Sequence, residues 1–149
     1  QKIVFNRHPV TDDPNFTNQA EIYLMNPDGT GLQRLTDNTE EERGPAWSPD
    51  GARIAFACRV GGGTADFEIC VINADGTGVV QLTDNAVADL TPTFSPDGQR
   101  ILFHRVVVGT QQLFTMNADG TQQMKLTTPP GSNTLANWGE LRVHEEPAP

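Results

Sequence analysis

The chain is short and acidic, and these two properties already exclude several classes of protein. It has 149 residues, with 19 acidic and 10 basic side chains and a formal net charge of −9, which argues against binding to nucleic-acid phosphates or to an anionic membrane surface. Its 14 glycines and 11 prolines are spread along the whole sequence, so long helices are not expected. No apolar run approaches the ~20 residues that a membrane-spanning helix needs.

An internal repeat organises the sequence from one end to the other. The motif Asn-x-Asp-Gly begins at positions 26, 73 and 117, Leu-Thr begins at 35, 82 and 126, and an aromatic residue recurs at 47, 94 and 138. All three series share spacings of 47 and 44 residues, which indicates one structural unit used several times. We expect a folded domain over 1–144, with repeats near 1–36, 44–83 and 91–127, a closing strand at 135–139, and a flexible tail at 145–149.

Each repeat predicts four short antiparallel strands. In the middle repeat these are Pro45–Trp47, Ile54–Cys58, Ile69–Ile72 and Val79–Thr83. They are connected by Pro-Asp-Gly and Ala-Asp-Gly turns, in which Asp bonds the nearby backbone and Gly accepts positive φ. The second and third strands are apolar on consecutive residues, which is typical of a sheet covered on both faces, whereas the mixed fourth strand suits an exposed edge. Four-stranded sheets packed between similar sheets predict the blades of an all-β propeller.

The same motifs point to a known family. Leu-Thr, then Pro-x-Trp-Ser-Pro-Asp-Gly, then Ile-Ala-Phe, then Ile-x-x-x-Asn-x-Asp-Gly resembles the TolB-type β-propeller repeat over almost the whole chain. The resemblance implies a propeller of six blades in a periplasmic or secreted protein, and the namesake of the family binds protein partners in the cell envelope. It is specific for the fold and unspecific for the activity, because propellers host many functions.

The number of strands predicts how the propeller closes. Ile3–Phe5 aligns with a second strand, so the chain carries three strands, two full blades and one lone first strand, which is three blades in all. Because known propellers have ~4–8 blades, we expect two chains to form a six-bladed homodimer in which each terminal strand completes the other chain's opening blade. The alternative is that the chain is one half of a longer six-bladed protein.

The two cysteines lie on neighbouring strands of the middle repeat. Cys58 and Cys70 are equally far from the hairpin tip at Gly63–Thr64, so a symmetric register would place them opposite each other and allow a disulfide. The alternative is a pair of small buried core residues. No metal site is expected, because the three histidines share no metal-ligand spacing. No cofactor is expected either, because the sequence has no glycine-rich phosphate loop.

The connections between strands divide between two ends of the blades. We call the end with the Asp-Gly turns the turn face, and the end with the longer, variable connections the loop face. Variable loops on a rigid scaffold usually carry recognition. The candidate ligand-binding residues are the loop-face residues Asp12, Asp13, Glu40, Glu41, Glu42, Arg43 and Asp89. They predict binding of a basic segment, a cationic ligand or a cation at the channel mouth, and the alternative is a solvated charged rim.

These features predict a non-enzymatic binding or scaffolding protein whose partner is a protein, a peptide or a small ligand. The first alternative is a fragment of a larger propeller enzyme, either a peptidase or a polysaccharide lyase. A peptidase would need an additional α/β-hydrolase domain, and a lyase would need clustered ligands near the channel, where Glu42, Arg43 and Asp89 are the candidates. The second alternative is a structural subunit of an extracellular assembly.

Overall fold

The computed structural model describes residues 2–8, 19–59, 66–128, 130–133 and 136–139. The strands in these ranges are all antiparallel and form three sheets, and none of these residues is helical, so the predicted all-β class is confirmed. No helix in this part of the chain is long and apolar enough to cross a membrane. Asp12, Asp13 and the tail at 145–149 lie outside the described residues.

Each sheet is a meander whose strands pair in chain order. Sheet 1 contains β1 (Ile3–Arg7), β2 (Glu21–Met25) and β3 (Gln33–Arg34); sheet 2 contains β4 (Glu42–Trp47), β5 (Arg53–Arg59), β6 (Phe67–Asn73) and β7 (Val80–Gln81); sheet 3 contains β8 (Asp89–Phe94), β9 (Arg100–Val107), β10 (Thr110–Asn117) and β11 (Met124–Lys125). The last strand of each sheet, at one of its two edges, is only two residues long, which limits the unpaired backbone at that edge.

Sheet 2 is buried on both faces, as the consecutive apolar residues of its central strands predict. Alternate residues of β5 and β6 point toward sheet 1 and toward sheet 3. Full burial of one Ile or Phe side chain contributes about 1.5–3 kcal/mol, so these two layers dominate the packing energy. The layer facing sheet 1 contains Ile22, Leu24, Ile54, Phe56, Cys58, Cys70 and Ile72, and the layer facing sheet 3 contains Ala55, Ile69, Val71, Phe94, Ile101, Phe103 and Met116.

The turn face is built from the same hydrogen bonds in successive repeats. In the Ser-Pro-Asp-Gly turn of sheet 2, the Ser48 hydroxyl donates to Asp50 Oδ1 (2.5 Å) and accepts from the Arg53 amide (2.9 Å). Ser95, Asp97 and Arg100 repeat these contacts in sheet 3. These turns close without help from distant residues, which explains why their sequence pattern is so strict.

The segment predicted to form the closing strand, 135–139, is described at residues 136–139. Residues 136–139 form no strand. Instead, the Trp138 indole N–H donates to the Thr93 carbonyl at 3.2 Å, so this segment lies beside β8. Its predicted pairing is with the opening blade of a second copy of the chain, and that pairing stays a prediction.

Candidate functional site

The structure joins Cys58 and Cys70 in a disulfide, with their Cα atoms 5.9 Å apart. The symmetric register expected for this hairpin is wrong, however, because Cys58 pairs with Glu68 and Cys70 pairs with Phe56. The register is shifted by two residues, and residues two apart on a strand share a face. The cysteines therefore stay on one face as a diagonal pair, which is still within bonding reach.

A polar cluster joins sheet 1 to sheet 2, and we call it the first junction: the buried Glu21, Thr36 and Glu42 with the exposed Asn38. Glu42 is only 2% exposed and accepts hydrogen bonds from the Thr36 hydroxyl and from Asn38 Nδ2 (2.6 Å). Glu21 is equally buried and accepts from the Arg34 guanidinium at 2.7 Å. Two carboxyl groups thus share a dry site beneath the loop face.

The first junction holds a proton near neutral pH. Burial raises the pKa of the Glu42 carboxyl from 4.5 to about 7, the hydrogen bonds from Thr36 and Asn38 oppose this rise, and the neighbouring Glu21 carboxyl adds to it. The second oxygen of Glu21 is buried without a donor. The nearby Glu21 carboxylate therefore favours the protonated form of Glu42.

A second junction joins sheet 2 to sheet 3 and contains Glu68, Thr83, Asn85, Asp89 and Arg105. The Thr83 hydroxyl donates to Glu68 (2.5 Å), and Asn85 Nδ2 bridges Glu68 and Asp89 at 3.0 Å each. Arg105 binds the fully buried Asp89 through two parallel bonds of 2.7 Å. Burial raises the pKa of the Glu68 carboxyl, and the contact with Asp89 raises the pKa of the Arg105 guanidinium.

The two junctions correspond position by position, and the signal that could have found them is in the sequence. Glu21, Thr36, Asn38 and Glu42 are followed 47 residues later by Glu68, Thr83, Asn85 and Asp89. The 47-residue spacing predicts the Asp-Gly turns, and the same spacing also relates these two sets of four polar residues. Each junction ties three separate chain segments together, so it holds the bases of the loop-face connections in place.

The predicted acidic surface is not assembled as expected. Glu42 and Asp89 are internal parts of the two junctions, and Glu41 is also buried, where it pairs with Arg43 at 2.5 Å. Glu40 is half-buried, and the Arg43 side chain is 52% exposed. The physical reason is that hydroxyl, amide and guanidinium donors reach these carboxylates from neighbouring segments, which offsets the cost of burying charge.

Two further observations bear on chemistry. No group of three or more His, Cys, Asp or Glu side chains suited to a metal ion occurs within the described ranges. His104 is buried, its Nδ1 contacts the Thr91 hydroxyl, and burial lowers the pKa of its imidazole. Its Nε2 has no partner, and a protonated ring would leave that N–H unsatisfied, so this pair is poorly suited to general-base chemistry.

The family of the chain follows from a match between its repeats and a family model. The model of the TolB β-propeller domain matches residues 44–141, which is more than half of the sequence. The chain belongs to the TolB β-propeller domain family. The resemblance identified from the repeat motifs is thereby confirmed.

Solved structures support the same fold. The structure of a putative TolB from Agrobacterium tumefaciens superposes with a TM-score of 0.68 and 26% identity, over 82% of this chain and 44% of that one. TolB from Acinetobacter baumannii superposes with a TM-score of 0.69 and 23% identity, over 89% of this chain and 32% of that one. The chain therefore spans less than half the length of these TolB-type proteins.

One curated relative is an enzyme. Dipeptidyl-peptidase 5 of Porphyromonas gingivalis is 46% identical over 48 residues, which is 31% of this chain and 7% of that protein. The match therefore covers a small part of a much longer protein.

Proposed function

We propose that the chain is a non-enzymatic binding and scaffolding module of a TolB-type propeller, and that its loop face is the recognition surface. One contrast carries this proposal. The turn face repeats the same hydrogen bonds from sheet to sheet, whereas side chains on the loop face differ, for example Arg43 in sheet 2 and Leu90 at the matching position in sheet 3. The two buried junctions keep that variable face rigid, which suits specific binding.

Selection from a peptide library tests this assignment without a known partner. Peptides captured by the immobilised chain should lose binding to an Arg43→Ala variant of the loop face. They should keep binding to the control Asp75→Ala, which alters an exposed residue of the turn face. Peptides that depend on Asp75 and ignore Arg43 would overturn the assignment of the loop face.

We also propose that a second copy of the chain completes the ring as a six-bladed homodimer. Leu35 and Leu82 pack into the two core layers against the following sheet. Leu126, the third member of this series, is 48% exposed. Within the described residues, no further sheet packs against the matching face of sheet 3. A sheet of the same kind fits that face best, because it offers the apolar surface that sheets 2 and 3 offer to Leu35 and Leu82.

Native mass spectrometry tests the dimer. The chain should have twice its own mass, and Leu126→Asp should shift it to the monomer. Leu32→Asp is a matched control, because Leu32 is similarly exposed but lies at the outer edge of sheet 1. A parent chain that remains monomeric would reject the second copy as the cover and favour further blades in a longer protein.

The similarity to a dipeptidyl-peptidase favours a second candidate, a propeller segment of a larger enzyme. In the part of the chain that is described, Ser48 and Ser95 are buried in turns, so we would expect catalytic residues to lie elsewhere. Antibodies against this chain should detect a natural protein near the mass of the chain if it is a separate module. A band several times heavier would favour the enzyme.

We propose a periplasmic or extracellular location. The TolB-type relatives and the Cys58–Cys70 disulfide support it, because disulfides persist mainly in oxidising compartments. Alkylation under denaturing, non-reducing conditions directly after cell lysis should leave both cysteines unlabelled. Two labelled thiols in the natural protein would contradict this location.

A further inference from the structure

We propose that Arg43, Arg59 and Phe67 form a binding site for a carboxylate group on the loop face of sheet 2. This inference rests on the proposed recognition role of that face and specifies its ligand chemistry. Arg43 is the second residue of β4, Arg59 is the last residue of β5, and Phe67 is the first residue of β6. Three neighbouring strands therefore bring these side chains together at the end of the sheet where the variable connections lie.

Both guanidinium groups are held against one aromatic ring. The Cζ atoms of Arg43 and Arg59 lie 4.7 and 4.6 Å from the Phe67 ring centroid, within the range of favourable cation–π contact. Phe67 itself is buried, and Arg59 is its direct partner in the β5–β6 register. The ring thus orients two long side chains in advance, which reduces the entropy that a ligand must overcome on binding.

The charges and hydrogen bonds of this cluster are incomplete. Arg43 is paired with Glu41 through Nε and Nη2. Arg59 makes no ion pair within the described ranges, and its Nε is buried without a hydrogen-bond partner. Within the described ranges two cations therefore share one carboxylate, and a buried N–H donor is left without an acceptor.

A carboxylate fits this arrangement better than other acceptors. Its two oxygens match the planar fork of a guanidinium, and a single negative charge is repelled less than a phosphate dianion by a chain with a net charge of −9. The site is also particular to sheet 2, because the matching positions in sheet 3 carry Leu90, Val106 and Gln111. It is therefore not a framework feature that every repeat needs.

Side-chain NMR of the full chain tests the site with small probes. N-acetylglycine represents a peptide C-terminus, the α-amide of N-acetylglutamate represents an acidic side chain, and N-acetylglycinamide is the neutral control. At least one carboxylate should shift the Arg59 Nε–H resonance saturably, and the neutral amide should not. The stronger of the two carboxylates identifies which kind of peptide group the site accepts.

Matched variants separate binding from structure. Arg59→Met keeps an apolar stem over Phe67 and should weaken the carboxylate response at Arg43 by roughly tenfold, as expected for the loss of a hydrogen bond to a charged group. Arg53→Met is the control, because Arg53 also stacks on a ring, that of Phe94 at 5.5 Å, but lies on the turn face. It should leave the response unchanged.

Two results would overturn the inference. One is an Arg59 resonance that shows no saturable response to either carboxylate. The other is an equal or stronger response to inorganic phosphate, which would assign the site to phosphate ligands instead. Loop-face peptides that are selected without any carboxylate requirement would reject this site while leaving the wider recognition role intact.

Discussion

The two junctions between the sheets have the same framework but different partners for their buried carboxylates. Both place a glutamate on the strand before the two-residue edge strand, a threonine and an asparagine on the connection after that edge strand, and an acid at the start of the next sheet. At the position opposite that acid, however, the second junction has Arg105 and the first has Cys58. The cysteine is committed to its disulfide, so no guanidinium reaches Glu42 from β5.

This difference shows that one fold can balance buried negative charge in two ways. In the second junction, Arg105 neutralises Asp89 through a bidentate ion pair. In the first junction, Arg34 reaches Glu21, and Glu42 is neutralised by a proton instead, since its pKa is about 7. The first junction is therefore sensitive to pH near neutrality, and the second depends on one side chain.

The largest effect is expected from breaking the second junction with Arg105→Met. Asp89 is fully buried, and loss of one partner from a buried ion pair costs about 3–5 kcal/mol, because it leaves an uncompensated charge. Urea unfolding at neutral pH measures this loss.

Arg100→Met on the same strand is the control for this change. Arg100 is half-buried and donates one hydrogen bond to the Thr115 hydroxyl at 3.1 Å, so we expect a loss of about 1 kcal/mol. Equal losses from the two variants would mean that Arg105 acts through its bulk and not through its charge.

The first junction has the disulfide-bonded Cys58 where the second junction has Arg105. Removal of the disulfide tests how much this bridge stabilises the chain. The bridge spans 12 residues of sequence, and closing a loop of this size stabilises a protein by about 3 kcal/mol in the chain-entropy model. The double variant Cys58→Ala, Cys70→Ala should therefore unfold at lower urea concentration. A reducing agent should shift the parent toward the variant and leave the variant itself unchanged; a parent that ignores the reductant would contradict the stabilising role.

Glu42→Gln should flatten the dependence of stability on pH. The pKa of Glu42 is raised from 4.5 to about 7 in the folded state, so the folded chain holds a proton that the unfolded chain releases across this window. Stability therefore falls as pH rises from 4.5 to 7, and this one group contributes on the order of 2 kcal/mol to the fall. The variant should gain stability relative to the parent by that amount between pH 5 and pH 8.

The neighbouring Glu40→Gln is the control for this pH profile. Glu40 is half-buried and contributes its backbone N–H, not its carboxylate, to the Asn38 side chain at 2.6 Å. We expect its profile to follow that of the parent. If Glu42→Gln also follows the parent, then the proton is not held at Glu42.

The fold could be predicted from the sequence because its signals are local. The Asp-Gly turns close through hydrogen bonds between residues two to five positions apart. The consecutive apolar residues of β5 and β6 indicate that both faces of the sheet are buried. The register of the β5–β6 hairpin could not be predicted. Both strands are apolar on consecutive residues, so the sequence does not show which residue of β5 pairs with which residue of β6. Its shift by two residues makes Cys58 and Cys70 diagonal neighbours.

The candidate site was harder to predict for a different physical reason. Composition shows that Glu41, Glu42 and Asp89 carry charge, but it does not show how deeply they lie or which donors reach them. Their burial depends on partners from other segments, such as Arg105, which is 16 residues from Asp89. The sequence therefore predicts a charged surface at positions where Glu41, Glu42 and Asp89 are internal.

The smallest effect concerns the threonines that recur with the same spacing. Thr83 is buried and bonds the Glu68 carboxylate, whereas Thr127 is half-buried and bonds the neutral Gln112 amide at 2.9 Å. Hydrogen bonds to charged groups are worth about 1 kcal/mol more than neutral ones, and water can replace a partner at the more accessible site. Thr83→Val should therefore destabilise the chain by about 1 kcal/mol more than Thr127→Val in paired urea titrations. Equal losses would show that the carboxylate of Glu68 adds nothing to the strength of the second junction.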